Sequence, residues 1–122
     1  MNRVLVTGAC GNIGANVVDL LVERGYAVRA VDLDTPAGRA KSERWGDAID
    51  LWFGSICDQS LVREAVADVD HGVHLAAMVP PTTDVDQAAG YAVHVGATRS
   101  IIAAAESQSA PPRFAFSSSA GR

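Results

Sequence analysis

Three glycines close to the N-terminus limit the possible folds of this chain more than any other sequence feature. The segment LVTGACGNIGANVV places Gly8, Gly11 and Gly14 three residues apart. Glycine weakens both strands and helices, so its repeated use indicates backbone that another group must approach more closely than a Cβ atom would allow. The segment follows the short apolar run RVLVT and precedes a stretch with helical periodicity, which places the glycines in a turn between a strand and a helix.

Segments typical of strands alternate with segments typical of helices along the chain. After RVLVT, the runs YAVRAVD, AIDLWFG, HGVHLAA and RFAFSSS predict four further strands. Helices are predicted over 12–24, ending at Gly25, then within TPAGRAKSERWGD, after an N-cap at Asp58, and from about 85 to 106. The apolar residues predicted to recur on the longer helices are Ile13, Val17, Leu20 and Leu21, then Leu61, Val62, Ala65 and Val66, and finally Tyr91, Val95, Ile102 and Ala105.

This alternation predicts a doubly wound α/β fold: a parallel sheet of about five strands, in the order 3-2-1-4-5, with helices on both faces. In such sheets ligands bind beyond the carboxyl ends of the strands, at the point where the winding reverses. That point is the end of the first strand, where the three glycines lie. The sequence therefore predicts a ligand site at the glycine turn.

Each glycine has a distinct predicted role at that site. Gly8 makes the turn out of the strand, Gly11 admits a diphosphate to the backbone, and Gly14 lets the helix pack closely on the sheet. The positive end of the helix then faces the phosphates. Asp32 ends the second strand about 18 residues after Gly14, near the spacing of about 20 for a ribose-binding carboxylate. The alternative is a plain strand–turn–helix in which the glycines serve the turn only.

Composition excludes several other classes of function. The 122 residues predict one domain, and the net charge of −4 without a basic block argues against a nucleic-acid partner. No apolar run approaches the roughly 20 residues of a membrane span. Cys10 and Cys57 have neither metal-ligand spacing nor the pattern of a disulfide framework, which predicts no metal site and favours the reducing cytoplasm.

The motif T-G-x-x-G-x-x-G at TGACGNIG resembles that of the extended short-chain dehydrogenases/reductases, the NAD-dependent nucleotide-sugar epimerases and dehydratases. The resemblance spans the chain and includes VDLD after strand 2, HLAA after strand 4, HVGATRSIIAAAE on the long helix and FSSSAG on strand 5. It implies that residues 1–122 form a Rossmann domain, truncated after its fifth strand, that binds NAD.

The resemblance also implies which residues bind the cofactor. Asp32 is expected to bind both hydroxyls of the adenosine ribose and, with no basic partner nearby, to favour NAD over NADP; Asp34 is a weaker rival. Ser55 and Ile56 stand where the family has an Asp-Ile or Asp-Val pair at the adenine. The implied cofactor-binding set is Gly8, Gly11, Asn12, Ile13, Gly14, Asp32, Ser55, Ile56, Leu75, Ala76, Ala77, His94 and Ser117.

For catalysis the resemblance implies Ser119, the third serine of FSSSA, as the group that hydrogen-bonds the reacting hydroxyl or carbonyl. The serines have an alternative role as polar residues at a strand end that cap a turn. His74 is expected to be structural, whereas His94 replaces the family's asparagine and either contacts the cofactor or packs on the helix. The family's Tyr-x-x-x-Lys pair is absent, because neither Tyr26 nor Tyr91 has a lysine four residues later.

We therefore expect the cofactor-binding part of an NAD-dependent epimerase, dehydratase or reductase, which by itself binds NAD without turnover. The expected substrate is a small molecule such as a nucleotide sugar. The alternatives are a non-catalytic dinucleotide-binding sensor or scaffold, and the cofactor half of a hydroxy-ketone or steroid reductase. Strand 5 and the long helix are expected to lack covering neighbours, which predicts a homodimer or a strand-exchanged oligomer.

Overall fold

The computed structural model of the chain describes residues 2–76, 88, 91 and 95–116. The strands are β1 (Arg3–Thr7), β2 (Ala27–Asp32), β3 (Asp50–Phe53), β4 (His71–His74) and β5 (Arg113–Phe116). The helices are α1 (Asn12–Glu23), α2 (Pro36–Ser42), α3 (Gln59–Val66) and α4 (Ala97–Glu106), with a 3-10 turn at Gly46–Ala48. None of these helices has the length and apolar character that a membrane span requires.

The strands form one parallel sheet in the order β3-β2-β1-β4-β5, as the alternating pattern predicts. The registers bring Thr7 of β1 level with Val31 of β2 and with His74 of β4. Asp32, at the end of β2, lies level with Phe53 of β3. Because the chain passes from β1 to β2 on one side and later returns to β4 on the other, the winding reverses at the carboxyl end of β1.

The sheet separates two layers of the hydrophobic core. Leu5 of β1 faces the layer built with α3 and α4, whereas its neighbours Val4 and Val6 face the layer built with α1. This alternation follows from the twofold period of a strand. Both layers bury residues from the central strands completely, which explains why those strands are almost continuously apolar.

The buried face of α1 agrees with the prediction only in part. Ile13 is 66% exposed and Leu20 is 46% exposed, while Gly14, Ala15 and Val18 are buried. The helix approaches the glycine turn so closely at Gly14 that only small side chains fit between the helix and the sheet. Ile13 and Leu20 therefore lie away from the layer that their spacing predicts them to fill, whereas Val17 and Leu21, predicted with them, are partly buried against it.

The other helices confirm part of the pattern. In α3, Asp58 caps the N-terminus as predicted, accepting hydrogen bonds from the backbone N–H groups of Ser60 and Leu61, and Val62, Ala65 and Val66 are buried. The sequence predicts a long helix from about 85 to 106, and α4 (Ala97–Glu106) is the described helix within that range. Its buried residues are Ala97, Ile101, Ala104 and Ala105, so Ala105 is placed correctly, whereas Ile102 and Tyr91 are exposed.

Arg29 on β2 fastens the end of α3 to the sheet. Its Nη1 donates to the carbonyl oxygens of Ala65 at 2.9 Å and Ala67 at 3.0 Å, and its Nε pairs with Asp50 at 3.3 Å. The guanidinium lies 4.8 Å from the centre of the Trp52 ring. The side chain is only 11% exposed, so these last helix carbonyls have a buried cationic donor in place of water.

We predict that Arg29→Met lowers the free energy of unfolding by about 2–4 kcal/mol, because buried carbonyls and Asp50 lose a charged donor. The midpoint of urea unfolding measures this loss. Arg63→Met is the matched control, since Arg63 lies on α3 but is exposed, and its effect is expected to stay within about 0.5 kcal/mol. Equal midpoints for the two variants would contradict the assigned role of Arg29.

Candidate functional site

Two of the three glycines are required by the fold itself. Gly8 has φ +70°, and a Cβ atom there would lie 2.7 Å from the backbone nitrogen of Ala76. A Cβ atom at Gly14 would overlap the carbonyl oxygen of Gly8. These contacts confirm that Gly8 makes the turn and that Gly14 permits close packing of α1.

Gly11 is different, because neither its backbone conformation nor its neighbours require a glycine at this position. Its φ of −73° and ψ of 174° suit any residue, and a Cβ atom would meet only the Gly8 carbonyl oxygen, at 3.3 Å. The position is exposed. A glycine that the backbone does not need, at an open surface, fits the close approach of a ligand.

The first turn of α1 offers an anion-binding end at the same place. Gly11 is its N-cap and supplies no side-chain hydrogen bond, and the first turn contains no acidic residue. Asn12 and Ile13 are exposed there. The first N–H groups of a helix lack intrahelical partners and carry partial positive charge. Together with the smooth surface at Gly11, this end of the helix fits a phosphate or diphosphate group.

Asp32 is held at the edge of the glycine turn. Its Oδ2 accepts a hydrogen bond from the backbone N–H of Cys10 at 2.8 Å, and its Oδ1 accepts one from Leu33 at 2.7 Å. A carboxylate offers about four acceptor sites, so each oxygen keeps capacity for a hydroxyl donor. The two hydrogen bonds fix the carboxylate where a ribose beside the glycine turn would meet it.

A cavity of about 200 Å³ lies at the carboxyl ends of β1, β2, β3 and β4. Its lining is Gly8, Gly11, Val31, Asp32, Leu33, Gly54, Ser55, Ile56, Leu75 and Ala76. Seven residues of the predicted cofactor-binding set therefore meet here: Gly8, Gly11, Asp32, Ser55, Ile56, Leu75 and Ala76. Asp34 is not among the residues that line this cavity. Its Oδ2 instead accepts a hydrogen bond from Arg39 Nη2 at 2.9 Å.

His74 and Thr7 join the strand ends behind this cavity. Thr7 Oγ1 accepts hydrogen bonds from the backbone N–H groups of Leu75 at 3.1 Å and Ala76 at 3.2 Å, and lies 2.6 Å from His74 Nδ1. With two donors on its oxygen, the hydroxyl proton points to Nδ1, which leaves the imidazole proton on Nε2, 3.4 Å from Thr98 Oγ1. His74 is 5% exposed, in agreement with the structural role expected of it.

Thr7 and Leu33 belong to the site although neither is among the residues that the sequence predicts there. Thr7 opens the motif TGACGNIG, and a hydroxyl at a strand end commonly bonds nearby backbone groups, which is the signal that could have indicated it. Leu33 follows Asp32 directly, so the position of Asp32 could have suggested it. Four predicted site residues, Ala77, His94, Ser117 and Ser119, lie outside the described residues.

The structure also corrects the expectation that no basic group lies near Asp32. Lys41 of α2 lines a second groove, of about 360 Å³, that shares Gly11, Asp32 and Leu33 with the main cavity. Its Nζ lies 3.4 Å from Asn12 Oδ1. The glycine turn itself contains no lysine or arginine, but the fold brings a cation to it from a later helix.

No cluster of histidine, cysteine and acidic side chains suited to a metal ion occurs in the part of the chain that the structure describes. Burial raises the pKa of the Cys10 thiol, the nearby Asp32 charge raises it further, and Lys41 acts in the opposite direction. This thiol is therefore protonated at neutral pH. The site is thus built from backbone N–H groups, one carboxylate and small side chains.

A family model described as the NAD dependent epimerase/dehydratase family matches residues 4–121. A 3 beta-hydroxysteroid dehydrogenase/Delta 5→4-isomerase of Mycobacterium tuberculosis is 32% identical over 98% of this chain and 32% of its own length. A dTDP-glucose 4,6-dehydratase of the same species is 45% identical over 62% of this chain and 24% of its own length. The chain thus spans about a third or less of these curated relatives.

This chain is also similar to solved structures of proteins with such activities or of the same superfamily. The UDP-glucose 4-epimerase of Thermotoga maritima with UDP-glucose has a TM-score of 0.85 at 26% identity, covering 98% of this chain and 38% of that one. A short-chain dehydrogenase/reductase superfamily protein from Agrobacterium tumefaciens with bound NAD has a TM-score of 0.74 at 30% identity. The match covers 97% of this chain and 33% of that one.

Proposed function

This chain belongs to the NAD-dependent epimerase/dehydratase family, and from that premise we propose that its 122 residues are the cofactor-binding part of an oxidoreductase that acts on a nucleotide sugar. The cofactor is NAD, as the sequence predicts, and relatives of the same fold hold it in their structures. The observation that carries the proposal is the cavity in which the exposed Gly11 and the fixed carboxylate of Asp32 lie together.

The residues of the cavity fit the parts of this cofactor. Gly11 and the open end of α1 suit the diphosphate, and Asp32 suits the ribose hydroxyls. Leu33 and Ile56 offer apolar surface for the adenine, and the Ser55 hydroxyl, which accepts from the Cys57 N–H at 3.1 Å, retains a proton to donate to it. When bound, NAD supplies the acceptor of a hydride. The chain's own contribution is to bind and orient it.

Direct titration tests the proposal. We expect NAD⁺ and NADH to bind the purified chain with one-to-one stoichiometry in isothermal titration calorimetry. Addition of dTDP-glucose or UDP-glucose to the NAD⁺ complex is expected to produce no NADH absorbance, because these residues contain no Tyr-x-x-x-Lys base. Absence of NAD binding would overturn the proposal. NADH formation would overturn the expectation that these residues by themselves bind NAD without turnover.

A steroid substrate is the second candidate. The observation that favours it is the match to a hydroxysteroid dehydrogenase over 98% of this chain, against 62% for the nucleotide-sugar dehydratase. Ser119, outside the described residues, is proposed in either case to hydrogen-bond the reacting hydroxyl or carbonyl. Cys10 and Cys57 are free thiols, which supports a cytoplasmic location as part of the proposal.

We also predict that the folded chain self-associates through the region of β5 and α4. β5 lies at an edge of the described sheet, and Phe116 on β5 and Ile102 on α4 are each 42% exposed. Unpaired strand edges and exposed apolar groups favour association. Light scattering after size exclusion, at micromolar concentration, should give the mass of a dimer, and Ile102→Lys should shift it toward the monomer. A monomer that binds no hydrophobic dye would contradict this prediction.

A further inference from the structure

A groove of about 400 Å³ lies between α3 and α4, which pack against each other on the face of the sheet opposite α1. Its lining includes Gln59 and Arg63 of α3 and Arg99, Ser100, Ala103 and Ala104 of α4. None of the residues that line this groove lines the cavity at the glycine turn. The groove is therefore a second concave surface, separate from the residues proposed to bind NAD.

The groove carries two positive charges that the described residues do not neutralise. Arg63 and Arg99 both line it and are exposed. The ion pairs of the described residues use Arg29, Arg39 and Arg44 instead, and no Asp or Glu is among the described residues that line this groove. Since the chain as a whole has a net charge of −4, two arginines without acidic partners in one groove reverse the overall charge locally.

The hydrogen-bond donors of the groove are also largely unused. Arg63 Nη2 donates to Ser60 Oγ at 3.4 Å, which is long for a hydrogen bond and leaves most of the five guanidinium N–H groups open. Arg99 has no hydrogen-bond partner within the part of the chain that the structure describes. Ser100 adds a hydroxyl and Gln59 an amide on the opposite wall. The groove thus suits a ligand that is negatively charged and rich in acceptor atoms.

The size and lining of the groove favour a small anion over a protein partner. Ala103 and Ala104 line it with small side chains, and its volume falls in the range of about 300–1,000 Å³ that is typical of small-molecule sites. Its described lining lacks the aromatic and large apolar side chains found at the centre of protein–protein interfaces. Guanidinium groups bind phosphate through two parallel hydrogen bonds, a geometry that neither a lysine nor a hydroxyl offers.

We propose that the groove between α3 and α4 binds a phosphate group, either as inorganic phosphate or as the monoester of a small molecule, with Arg63 and Arg99 as its counter-charges. This site goes beyond the proposed function and does not depend on it, because the groove and the cofactor cavity share no residue. Both arginines are exposed to solvent, so we expect a dissociation constant in the millimolar range that rises with ionic strength.

Amide chemical shifts in NMR spectra of the isotope-labelled chain test the proposal. Sodium phosphate, titrated at constant ionic strength against sodium chloride, should shift resonances of α3 and α4 in a saturable manner. Arg63→Gln and Arg99→Gln should each weaken this binding by about fivefold or more, and the double variant should show no saturation. Arg24→Gln is the matched control, because Arg24 is also exposed but lies at the C-cap of α1, and it should leave the affinity within about twofold.

Parallel titrations with glycerol phosphate and succinate identify the ligand chemistry. Tighter binding of glycerol phosphate than of inorganic phosphate would support a monoester ligand, and equal affinity would support the free anion. Succinate, a dianion without a phosphate group, should bind more weakly than either. Shifts that rise linearly with phosphate, an equal response to succinate, or unchanged affinity in the double variant would overturn the proposal. Phosphate shifts confined to the glycine turn would overturn it too, while supporting an anion site at α1.

Discussion

Gly11→Val is expected to abolish NAD binding and leave the fold intact. The backbone of Gly11 suits valine, and its Cβ atom would meet one backbone oxygen at 3.3 Å, so the fold needs only a small adjustment. The branched side chain would occupy the surface that we propose receives the diphosphate. We expect affinity to fall by about 100-fold or more, which corresponds to about 2.8 kcal/mol.

Gly14→Val is the informative comparison, since Gly14 is three residues away in the same turn. Its Cβ atom would overlap the Gly8 carbonyl oxygen, which is backbone and cannot move without opening the turn. This variant is expected to lose about 4 kcal/mol or more of folding free energy. Thermal unfolding and NAD titration of both variants separate the two effects. Normal NAD binding by a folded Gly11→Val would show that this glycine does not receive the phosphates.

Asp32→Ala is the second change with a large expected effect. It removes the carboxylate that we propose accepts two ribose hydroxyls, each such hydrogen bond being worth about 1.5–3 kcal/mol, so NAD affinity should fall by about 100-fold or more. Asp32 also accepts the N–H groups of Cys10 and Leu33. Its loss should therefore lower the unfolding temperature slightly, and binding must be measured well below that temperature.

Asp34→Ala is the matched control for Asp32→Ala. Both changes remove one negative charge near the carboxyl end of β2, but Asp34 pairs with Arg39 and does not line the cavity. Calorimetric titration should show NAD affinity within about twofold of the native value for Asp34→Ala. An equal loss in the two variants would mean that the loop charge acts at long range, and a larger loss in Asp34→Ala would transfer the ribose contact to Asp34.

Much of the candidate site could be predicted because its parts are local in sequence. The spacing of Gly8, Gly11 and Gly14 specifies a turn and the start of a helix, and Asp32 ends the next strand. Parallel strands place their carboxyl ends at one edge, so residues that follow each strand meet without any knowledge of side-chain packing. The resemblance implied Ser55 and Leu75 as cofactor-binding residues, and both line the cavity because they follow β3 and β4 at this edge.

The order of strand and helix, and with it the doubly wound sheet and the ligand edge, followed from the sequence by itself, because strand and helix periods and right-handed crossovers leave few topologies. Tertiary structure decided which face of α1 is buried: Gly14 contacts the turn so closely that Ile13 is exposed. It also decided that Lys41 lies at the groove of Asp32 and that Thr7 bonds His74. Such contacts join elements far apart in the chain, and they depend on how each helix is rotated and how far it lies from the sheet, which periodicity does not specify.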